Sequence, residues 1–261
     1  MFDAVKAKND CVQWIRDWFD KNGKGCNAVI GISGGKDSTV VAALCVEAIG
    51  KDRVIGVLMP NGIQNDIDVS FRVVDDLDIK YTVIDINKAY RTILDSLIYC
   101  SPLGNMGRHI FPTEQTIINL PPRIRMATLY AVSQSLNGRV VGTDNASESY
   151  VGYSTRWGDN VADLMPILHF TSEEVVAIGD ALGLPYELTH KTPSDGLCGK
   201  TDEDNLGFTY ATLNKYIRTG KCEDEAVRER IDELHRKNLF KLQPIPSFPY
   251  ESEPFIDEVL H

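Results

Sequence analysis

The sequence predicts an α/β protein built on a doubly wound, open parallel sheet with helices on both faces. Three observations lead to this prediction. Short, continuous apolar runs typical of buried strands alternate with longer segments typical of packed helices through the first half of the chain. The connections between them are short, and strands joined through helices in this way form βαβ units. At 261 residues, the chain is long enough to cover such a sheet on both sides.

The strands and helices of this first half follow from the apolar pattern and from the Gly and Pro residues near their ends. Strands are predicted at residues 28–33, 54–59, 81–85 and 139–143, and helices at about 3–21, 36–49, 66–77 and 87–98. Residues 99–112 are rich in Gly and Pro and are predicted to form a loop. The next helix is predicted to begin at Arg123 or just before it, because Pro121 and Pro122 suit a first helical turn, and to end near Gln134.

The second half of the chain is less regular. Residues 144–164 are polar, and a loop of this length in a compact domain is more often functional than not. The stretch 171–174 is a capping box that predicts a helix over 175–182. A second polar loop is predicted at 189–206, followed by two helices at about 209–219 and 224–238 and by a proline-rich tail. Because no repeat and no clear linker is found, residues 1–261 are expected to form a single domain.

Composition and charge argue against several classes of function. A formal net charge of −10 argues against a nucleic-acid partner, because such proteins usually carry a basic surface. The six cysteines are scattered without a CxxC pair, which argues for reduced thiols and against disulfides or a four-cysteine metal site. No apolar run reaches the roughly 18–20 residues of a membrane span, and the amphipathic N-terminal segment does not read as a signal peptide. The sequence therefore predicts a cytoplasmic protein that acts on small molecules, with no membrane or nucleic-acid partner.

The stretch SGGKDS, residues 33–38, lies between the first predicted strand and the helix after it. A glycine-rich turn that leads into a helix N-terminus favours anions, because its free backbone N–H groups and the helix dipole both attract negative charge. The simplest alternative is a tight strand-to-helix turn that requires glycine. The stretch is not a Walker loop, since Ile30 stands where that motif has its first glycine and Asp37 where it has Ser or Thr.

Asp37 within an anion-binding turn predicts a bound Mg²⁺, because a carboxylate there repels phosphate unless a cation lies between them. Mg²⁺ typically uses one or two carboxylates together with phosphate oxygens. In an open parallel sheet, ligands bind at the carboxyl ends of the strands. Glu148 follows the end of the fourth predicted strand, at Thr143, by five residues. Glu148 is therefore the candidate second ligand, with a solvated loop carboxylate as the alternative.

The SGGKDS stretch resembles the SGGxDS loop of the N-type ATP pyrophosphatases, which cleave ATP between its α and β phosphates to adenylate a substrate oxygen. Three further stretches resemble the ammonia-dependent NAD synthetases of that superfamily: PRIRMATLY, GTDNASESYVGYSTRWGDNVADLMP and KTPSDGLCGKTDEDNLGFTY, at residues 122–130, 142–166 and 191–210. They follow the family's order along almost the whole chain. The resemblance implies a Rossmann-like fold of the adenine nucleotide alpha hydrolase type. It also implies the conversion of deamido-NAD, ATP and ammonia to NAD, AMP and pyrophosphate.

The resemblance implies roles for individual residues. The implied catalytic residues are Asp37 and Glu148, which would bind Mg²⁺, and Asp159, near the reacting carboxyl group. The implied ATP-binding residues are Gly31, Ile32, Ser33, Gly34, Gly35, Lys36, Asp37, Ser38, Thr143 and Ser194. The implied deamido-NAD-binding residues are Arg123, Arg156, Asp163 and Lys241. The alternatives are a surface helix position for Arg123 and loop charges without a ligand for Arg156 and Asp163.

Two departures from the family pattern concern charge in the site. Ser172 stands where the family often has a phosphate-binding lysine, so positive charge must come from elsewhere. The candidates to supply it are Lys36, Lys191 and Lys200. Phe240 replaces the histidine of a His-Lys pair, so that only Lys241 of the pair is carried over.

The resemblance also implies a homodimer, with the segment 113–135 supplying part of the interface. Free ammonia is expected to be the nitrogen donor, because the residues before the SGGKDS loop and after residue 239 leave no room for a separate glutaminase domain.

Two alternatives remain from other classes of function. A nucleic-acid-modifying pyrophosphatase would share SGGxDS but would have a basic surface and paired or catalytic cysteines. A non-catalytic nucleotide sensor would not need Asp37 together with Glu148, and release of pyrophosphate from ATP would exclude it.

Overall fold

The computed structural model of the chain describes residues 2–99, 110–190 and 202–248. Its centre is a sheet of four strands, β1 (Asn27–Gly31), β2 (Val54–Leu58), β3 (Lys80–Val83) and β4 (Gly138–Val140). Each pairing is parallel, and the order across the sheet is β3-β2-β1-β4. A single parallel bridge between Val141 and Leu164 continues the sheet beyond β4. The predicted parallel sheet is confirmed.

Helices occupy most of the remaining described residues. In chain order they are α1 (Ala4–Asn22), α2 (Lys36–Ile49), α3 (Ile67–Asp76), α4 (Asn87–Ile98), α5 (Glu114–Ser135), α6 (Ala146–Val151), α7 (Ser172–Ala181), α8 (Tyr186–Thr189), α9 (Asp202–Leu206), α10 (Tyr210–Thr219) and α11 (Glu225–Asn238). Short 3₁₀ turns follow α2 and α11, at Lys51–Arg53 and Leu239–Lys241. Within the described residues, no helix is both long enough and apolar enough to cross a membrane.

Alternate residues of the central strands enter two separate cores. Ala28 and Ile30 of β1 lie in a core shared with α1, α2 and α7, whereas Val29 between them lies in a second core shared with α5. In β2, Leu58 belongs to the first core and Val57 to the second. Because successive side chains of a strand point to opposite faces of the sheet, helices cover both faces. The doubly wound architecture is confirmed.

A third cluster of apolar side chains joins α6 to the C-terminal helices. Val151 of α6 packs with Leu213 of α10 and Ile231 of α11, and each of the three is at most 2% exposed. The C-terminal helices therefore pack on the short helix that follows β4.

The start of α5 was predicted wrongly. The helix begins at Glu114, well before Arg123, and the Thr113 hydroxyl caps it. The two prolines expected in its first turn lie inside the helix, where each removes one backbone N–H donor. The carbonyls that lose a donor belong to Ile117 and Ile118, two residues that are 47% and 39% exposed.

Other boundaries differ in ways that matter for the site. Residues 146–151, predicted to belong to a loop, form α6. Strand β4 ends at Val140 and not at Thr143. The capping box at the start of α7 is present as predicted, with the Thr171 hydroxyl and the Glu174 carboxylate each accepting a backbone hydrogen bond. The helix after it begins earlier than predicted, at Ser172.

Candidate active site

The turn between β1 and α2 is held in a conformation that requires glycine. Gly34 has a φ of +79°, and a Cβ there would lie 3.1 Å from the backbone nitrogen of Ser70. The Ser33 hydroxyl accepts a hydrogen bond from the Gly35 N–H at 3.2 Å, and the Ser38 hydroxyl donates to the Gly35 carbonyl at 3.1 Å. The turn leads directly into the N-terminus of α2, as an anion-binding turn should. Most of the predicted ATP-binding residues lie in this turn or directly beside it: Gly31, Ile32, Ser33, Gly34, Gly35, Lys36, Asp37 and Ser38.

One amide side chain connects this turn to the end of β4. Asn145 is completely buried, and its Nδ2 donates to Oδ1 of Asp37 at 3.1 Å. Its Oδ1 accepts hydrogen bonds from the backbone N–H groups of Ser147 and Glu148, which makes it the N-cap of α6. On the other side of Asp37, Oδ2 lies 2.7 Å from Nζ of Lys36. Asn145 therefore connects the carboxylate of Asp37 to the backbone of Glu148.

Glu148 lies among other charged groups. Burial raises the pKa of its carboxyl group well above the usual range, and the negative charge of Asp37 acts in the same direction, whereas Lys36 opposes it. Asp144 is only 5% exposed. Burial raises the pKa of Asp144 to about 7, although a hydrogen bond from the Ser149 hydroxyl at 2.8 Å opposes the rise. Burial is the largest cause of both shifts, and the negative charge of Asp37 adds to each of them. A hydrogen bond between Asp144 and Glu148 raises the pKa of Glu148 and lowers that of Asp144.

Asp159 lies on the loop after α6. Its Oδ1 accepts a hydrogen bond from the Thr155 N–H at 2.6 Å. The residue as a whole is exposed, but the protein around its carboxyl group raises the pKa by desolvation. The half-buried Arg125 interacts electrostatically with Asp159 and donates from Nε to the carbonyl of Met59 at 3.1 Å. Arg125 thus links Asp159 to the carboxyl end of β2.

Lys241 holds the same loop from the C-terminal side. Its Nζ donates to the carbonyls of Gly152 and Ser154, at 2.8 and 2.9 Å. Burial lowers the pKa of Lys241, and the charge of Asp159 opposes this effect. The structure therefore gives Lys241 a role in the shape of the loop, and its contact with deamido-NAD stays a prediction.

Arg123 and Arg156, predicted to bind deamido-NAD, lie together. Nε of Arg123 donates to the carbonyl of Arg156 at 3.2 Å. The Arg156 guanidinium lies over two aromatic rings, with Cζ 4.9 Å from the ring centroid of Trp157 and 5.1 Å from that of Phe240. Both distances are typical of cation–π contacts. These two contacts restrict the position of the Arg156 guanidinium.

Asp163 has a structural role at the edge of the sheet. Its Oδ2 accepts a hydrogen bond from the Val140 N–H at 2.7 Å, and its Oδ1 from the Tyr130 hydroxyl at 3.3 Å. It also lines a groove formed with α1. Thr143 is partly exposed and follows the same edge of the sheet, in the segment between β4 and α6.

The position of the family's phosphate-binding lysine carries no charge here. Ser172 is 4% exposed, and its N–H donates to the Ser147 hydroxyl at 2.9 Å. Its own hydroxyl lies 3.2 Å from the side-chain nitrogen of Asn214. The remaining residues predicted for the phosphates lie outside the described residues: Ser194, Lys191 and Lys200.

Sequence reasoning missed three residues of this site. Asn145 had a readable signal, since Asn followed three residues later by Glu is a helix-start pattern. Asp144 and Arg125 had no such local signal, because their surroundings come from distant parts of the chain.

The donor set at Asp37 and Glu148 fits Mg²⁺. Two repelling carboxylates beside an anion-binding turn are ligands that this cation uses together with phosphate oxygens. A divalent cation between them would relieve the repulsion that raises the pKa of Glu148. Within the described ranges, no three Asp, Glu, His or Cys side chains form a metal-binding group by themselves.

Three comparisons with known proteins bear on this site. The NH(3)-dependent NAD(+) synthetase of Carboxydothermus hydrogenoformans is 35% identical over 240 residues, which cover 91% of this chain and 94% of that protein. The solved NMN synthetase of Francisella tularensis superposes with a TM-score of 0.83 at 31% identity, covering 96% of this chain and 100% of that one. The NH3-dependent NAD synthetase of Campylobacter jejuni, solved with a nitrate ion, gives a TM-score of 0.72 at 29% identity, with the same coverage.

The family model for NAD synthase matches residues 7–245 and so includes the turn at residues 33–38, Asn145 and Arg156. Because this match and the identity to the Carboxydothermus protein extend along nearly the whole chain, the chain belongs to the NAD synthase family.

Proposed function

We propose that this chain is an ammonia-dependent NAD synthetase that uses ATP to activate the carboxylate of deamido-NAD. The observation that carries the proposal is the direct connection between the SGGKDS turn and Glu148 through Asn145, in a chain of the NAD synthase family. This connection supports the proposal, because it joins the turn at residues 33–38 to the start of the helix that carries Glu148. A non-catalytic nucleotide sensor would not need Asp37 together with Glu148.

The chemistry follows from the poor reactivity of a carboxylate toward ammonia. A carboxylate oxygen of the substrate attacks the α-phosphorus of ATP, the bond to the bridging oxygen breaks, and pyrophosphate leaves. Ammonia then attacks the acyl carbon, AMP leaves with the former carboxylate oxygen, and one proton is released. No bond to the protein forms, so the protein contributes positioning and electrostatic stabilisation.

The residues divide this work between them. The turn at residues 33–38 would bind the phosphates, and Asp37 and Glu148 would hold Mg²⁺ beside them. When bound, Mg²⁺ supplies positive charge that stabilises the departing pyrophosphate. Arg156, oriented by its two aromatic neighbours, would bind an anionic group of the nicotinate substrate.

The likeness to the Francisella tularensis NMN synthetase favours a second candidate substrate. The Francisella tularensis structure has the higher TM-score of the two solved structures described above, and the match covers all of its chain. Nicotinate mononucleotide, the acid that corresponds to NMN, carries the same carboxylate as deamido-NAD and lacks the adenylate half. The same adenylation and amidation would convert it to NMN.

A direct competition assay tests both candidates. The purified chain is incubated with Mg-ATP, ammonium and equal concentrations of deamido-NAD and nicotinate mononucleotide, and NAD, NMN and AMP are quantified. We expect one AMP for each amide formed and a higher kcat/KM for deamido-NAD. A higher kcat/KM for the mononucleotide would assign the second function. If no AMP formed with either substrate, both candidates would be contradicted. Replacing ammonium by glutamine should give little product with this chain alone.

We also propose a homodimer in the cytoplasm. An apolar surface on the side of α4 and α5 supports the dimer, since Ile93, Phe111, Ile117 and Ile118 are 40%, 72%, 47% and 39% exposed. Exposed apolar side chains on neighbouring elements are typical of interfaces. The four described cysteines are free, which agrees with a reducing compartment.

A further inference from the structure

Lys36 occupies an unusual place for a lysine. It begins α2, and its side chain is only 6% exposed. Lysine is almost never buried to this degree unless it is paired. Its Nζ lies 2.7 Å from Oδ2 of Asp37, and its charge also acts on the carboxyl group of Glu148. The ammonium group is therefore paired with Asp37 and acts electrostatically on Glu148, the two residues that are proposed to bind Mg²⁺.

A metal ion bound at Oδ2 of Asp37 would compete with the Lys36 ammonium group for that atom. Oδ1 of Asp37 accepts the hydrogen bond from Asn145, so Oδ2 is the oxygen that faces Lys36. An ammonium and a divalent cation on one carboxylate oxygen would repel each other strongly at contact distance. Mg²⁺ would therefore bind Asp37 through Oδ2 only if the Lys36 ammonium group moved away.

Bound nucleotide would offer the displaced ammonium group a new anion. Lys36 adjoins the turn whose backbone would bind the phosphates, so a triphosphate there lies within reach of its flexible side chain. The position where the family often has a phosphate-binding lysine is Ser172, whose hydroxyl is engaged with Asn214 in the interior. The bound phosphates thus lack that cation in this chain.

We propose that Lys36 is an exchangeable counter-cation: it neutralises Asp37 and Glu148 in the nucleotide-free enzyme and transfers to the ATP phosphates when Mg²⁺ arrives with the nucleotide. The proposal rests on the proposed ATP-dependent function of this site. It makes Mg²⁺ and ATP binding mutually dependent, because free Mg²⁺ has to displace the ammonium before any phosphate can accept it.

Removal of the Lys36 charge should therefore move two affinities in opposite directions. The variant Lys36→Met should bind a divalent cation more tightly without nucleotide, since its carboxylates are no longer neutralised. It should bind Mg-ATP more weakly, since the phosphates lose a cation. Each change should fall within the range of roughly 5- to 150-fold that is typical of coupling between sites.

The test uses Mn²⁺ as the probe of the nucleotide-free enzyme. Free Mn²⁺ is measured by electron paramagnetic resonance during titration of the protein, Mg²⁺ is added as a competitor, and calorimetry measures the Mg²⁺ complex of a non-hydrolysable ATP analogue. Lys80→Met is the matched control, because Lys80 is an exposed lysine at the opposite end of the sheet. It should change neither affinity. Lys36→Gln, which keeps a hydrogen-bond donor without the charge, should repeat both shifts if Lys36→Met fails to fold, and Lys36→Arg should shift less.

Unchanged or weaker Mn²⁺ binding by the folded Lys36→Met and Lys36→Gln variants would overturn the proposal, and so would unchanged affinity for the Mg²⁺–analogue complex. These outcomes are distinct from failure of the proposed function, in which the wild-type chain would form no AMP from Mg-ATP and either nicotinate substrate. Wild-type activity together with unchanged affinities in both variants would remove only the role of Lys36.

Discussion

At the scale of single residues, the site depends on carboxyl groups that the fold forces together. Asp37, Asp144 and Glu148 act on one another electrostatically, and burial is the largest cause of the raised pKa of the latter two. Such a site is costly for an empty protein and favourable for a bound cation. Both consequences are measurable.

The first prediction concerns the metal pair. Asp37→Asn and Glu148→Gln should each lower kcat by about 10²-fold or more, a loss typical of removing one electrostatic stabiliser. The double variant should lose much less than the product of the two single losses, because both residues serve one ion. Steady-state kinetics at saturating Mg²⁺ measure kcat for the wild type, the two single variants and the double variant. Near-wild-type turnover by either single variant would remove that residue from the metal site.

The second prediction concerns pH and stability. The pKa of Asp144 is about 7 in the folded protein, against about 4 for an unfolded aspartate. Between these values the folded state binds more protons than the unfolded state, so raising the pH lowers the free energy of unfolding. Urea unfolding of the ligand-free protein should show a loss of at least about 1 kcal/mol across this window.

The variant Asp144→Asn isolates this contribution. It should flatten the pH dependence and stabilise the ligand-free protein at neutral pH, although Glu148 leaves part of the slope in place. Asp95→Asn, at an exposed position of α4, is the control and should keep the wild-type slope. Equal slopes for wild type and Asp144→Asn would show that Asp144 does not titrate in this window.

At the scale of elements, the short helix α6 depends on α11. Six residues are too few for a stable isolated helix. Donors on and just after α11 bind the carbonyls at the end of α6: Asn238 Nδ2 donates to Val151 at 3.1 Å, and Lys241 Nζ donates to Gly152 at 2.8 Å. The helix that carries Glu148 is therefore held at its C-terminus by a segment nearly ninety residues later in the chain.

The third prediction tests this contact through glycine. Gly152 has a φ of +67°, and a Cβ there would lie 2.1 Å from Cβ of Asn238. Gly220 has a similar φ of +68° with no atom within 4 Å of the added Cβ, so it is a matched control. Gly220→Ala should cost on the order of 1–2 kcal/mol from backbone strain alone.

Gly152→Ala should cost about 1–3 kcal/mol more than the control, because α11 has to shift away from α6. Denaturant unfolding of both variants measures the difference, and kcat should fall only in Gly152→Ala, because only there is the helix of Glu148 displaced. Equal destabilisation by the two substitutions would show that the α6–α11 contact does not constrain this helix.

At the scale of the whole molecule, the exposed apolar surface predicts the oligomeric state, and the chemistry of amidation predicts the nitrogen donor. The fourth prediction is that the protein is a homodimer through the apolar surface of α4 and α5. Sedimentation at micromolar concentration should give twice the chain mass of 29.1 kDa. Ile117→Glu, at a position 47% exposed, should shift the equilibrium toward monomer without unfolding the chain. An active wild-type monomer at that concentration would contradict the dimer.

The fifth prediction concerns the nitrogen donor. Only NH₃ has the lone pair that attacks the acyl-adenylate, so at fixed, subsaturating total ammonium the rate should rise as the pH increases above neutral. The rise should continue until groups of the enzyme titrate. Initial rates of NAD formation measure it, and saturating ammonium is the control, because it should flatten the profile. A rate that is independent of pH at subsaturating ammonium would contradict direct use of NH₃.

The sequence by itself determined the parallel sheet, the glycine-dependent turn before α2 and the helix capped by Thr171. These features depend on local chemistry: the alternation of apolar residues along a strand, the freedom of glycine at positive φ, and capping groups within a few residues of a helix start. The same local reasoning failed at α5, where two prolines inside a helix looked like its beginning.

Only the tertiary structure decided how the charged residues are used. Asn145 and Asp37 are 108 residues apart in the sequence, and no local pattern predicts the hydrogen bond between their side chains. The same is true of Lys241, which binds loop carbonyls, and of Asp163, which completes the edge of β4. The pKa of Asp144 depends on burial by distant segments. Such contacts and desolvation arise only when the whole chain is packed, because they depend on which surfaces meet and not on which residues are neighbours in sequence.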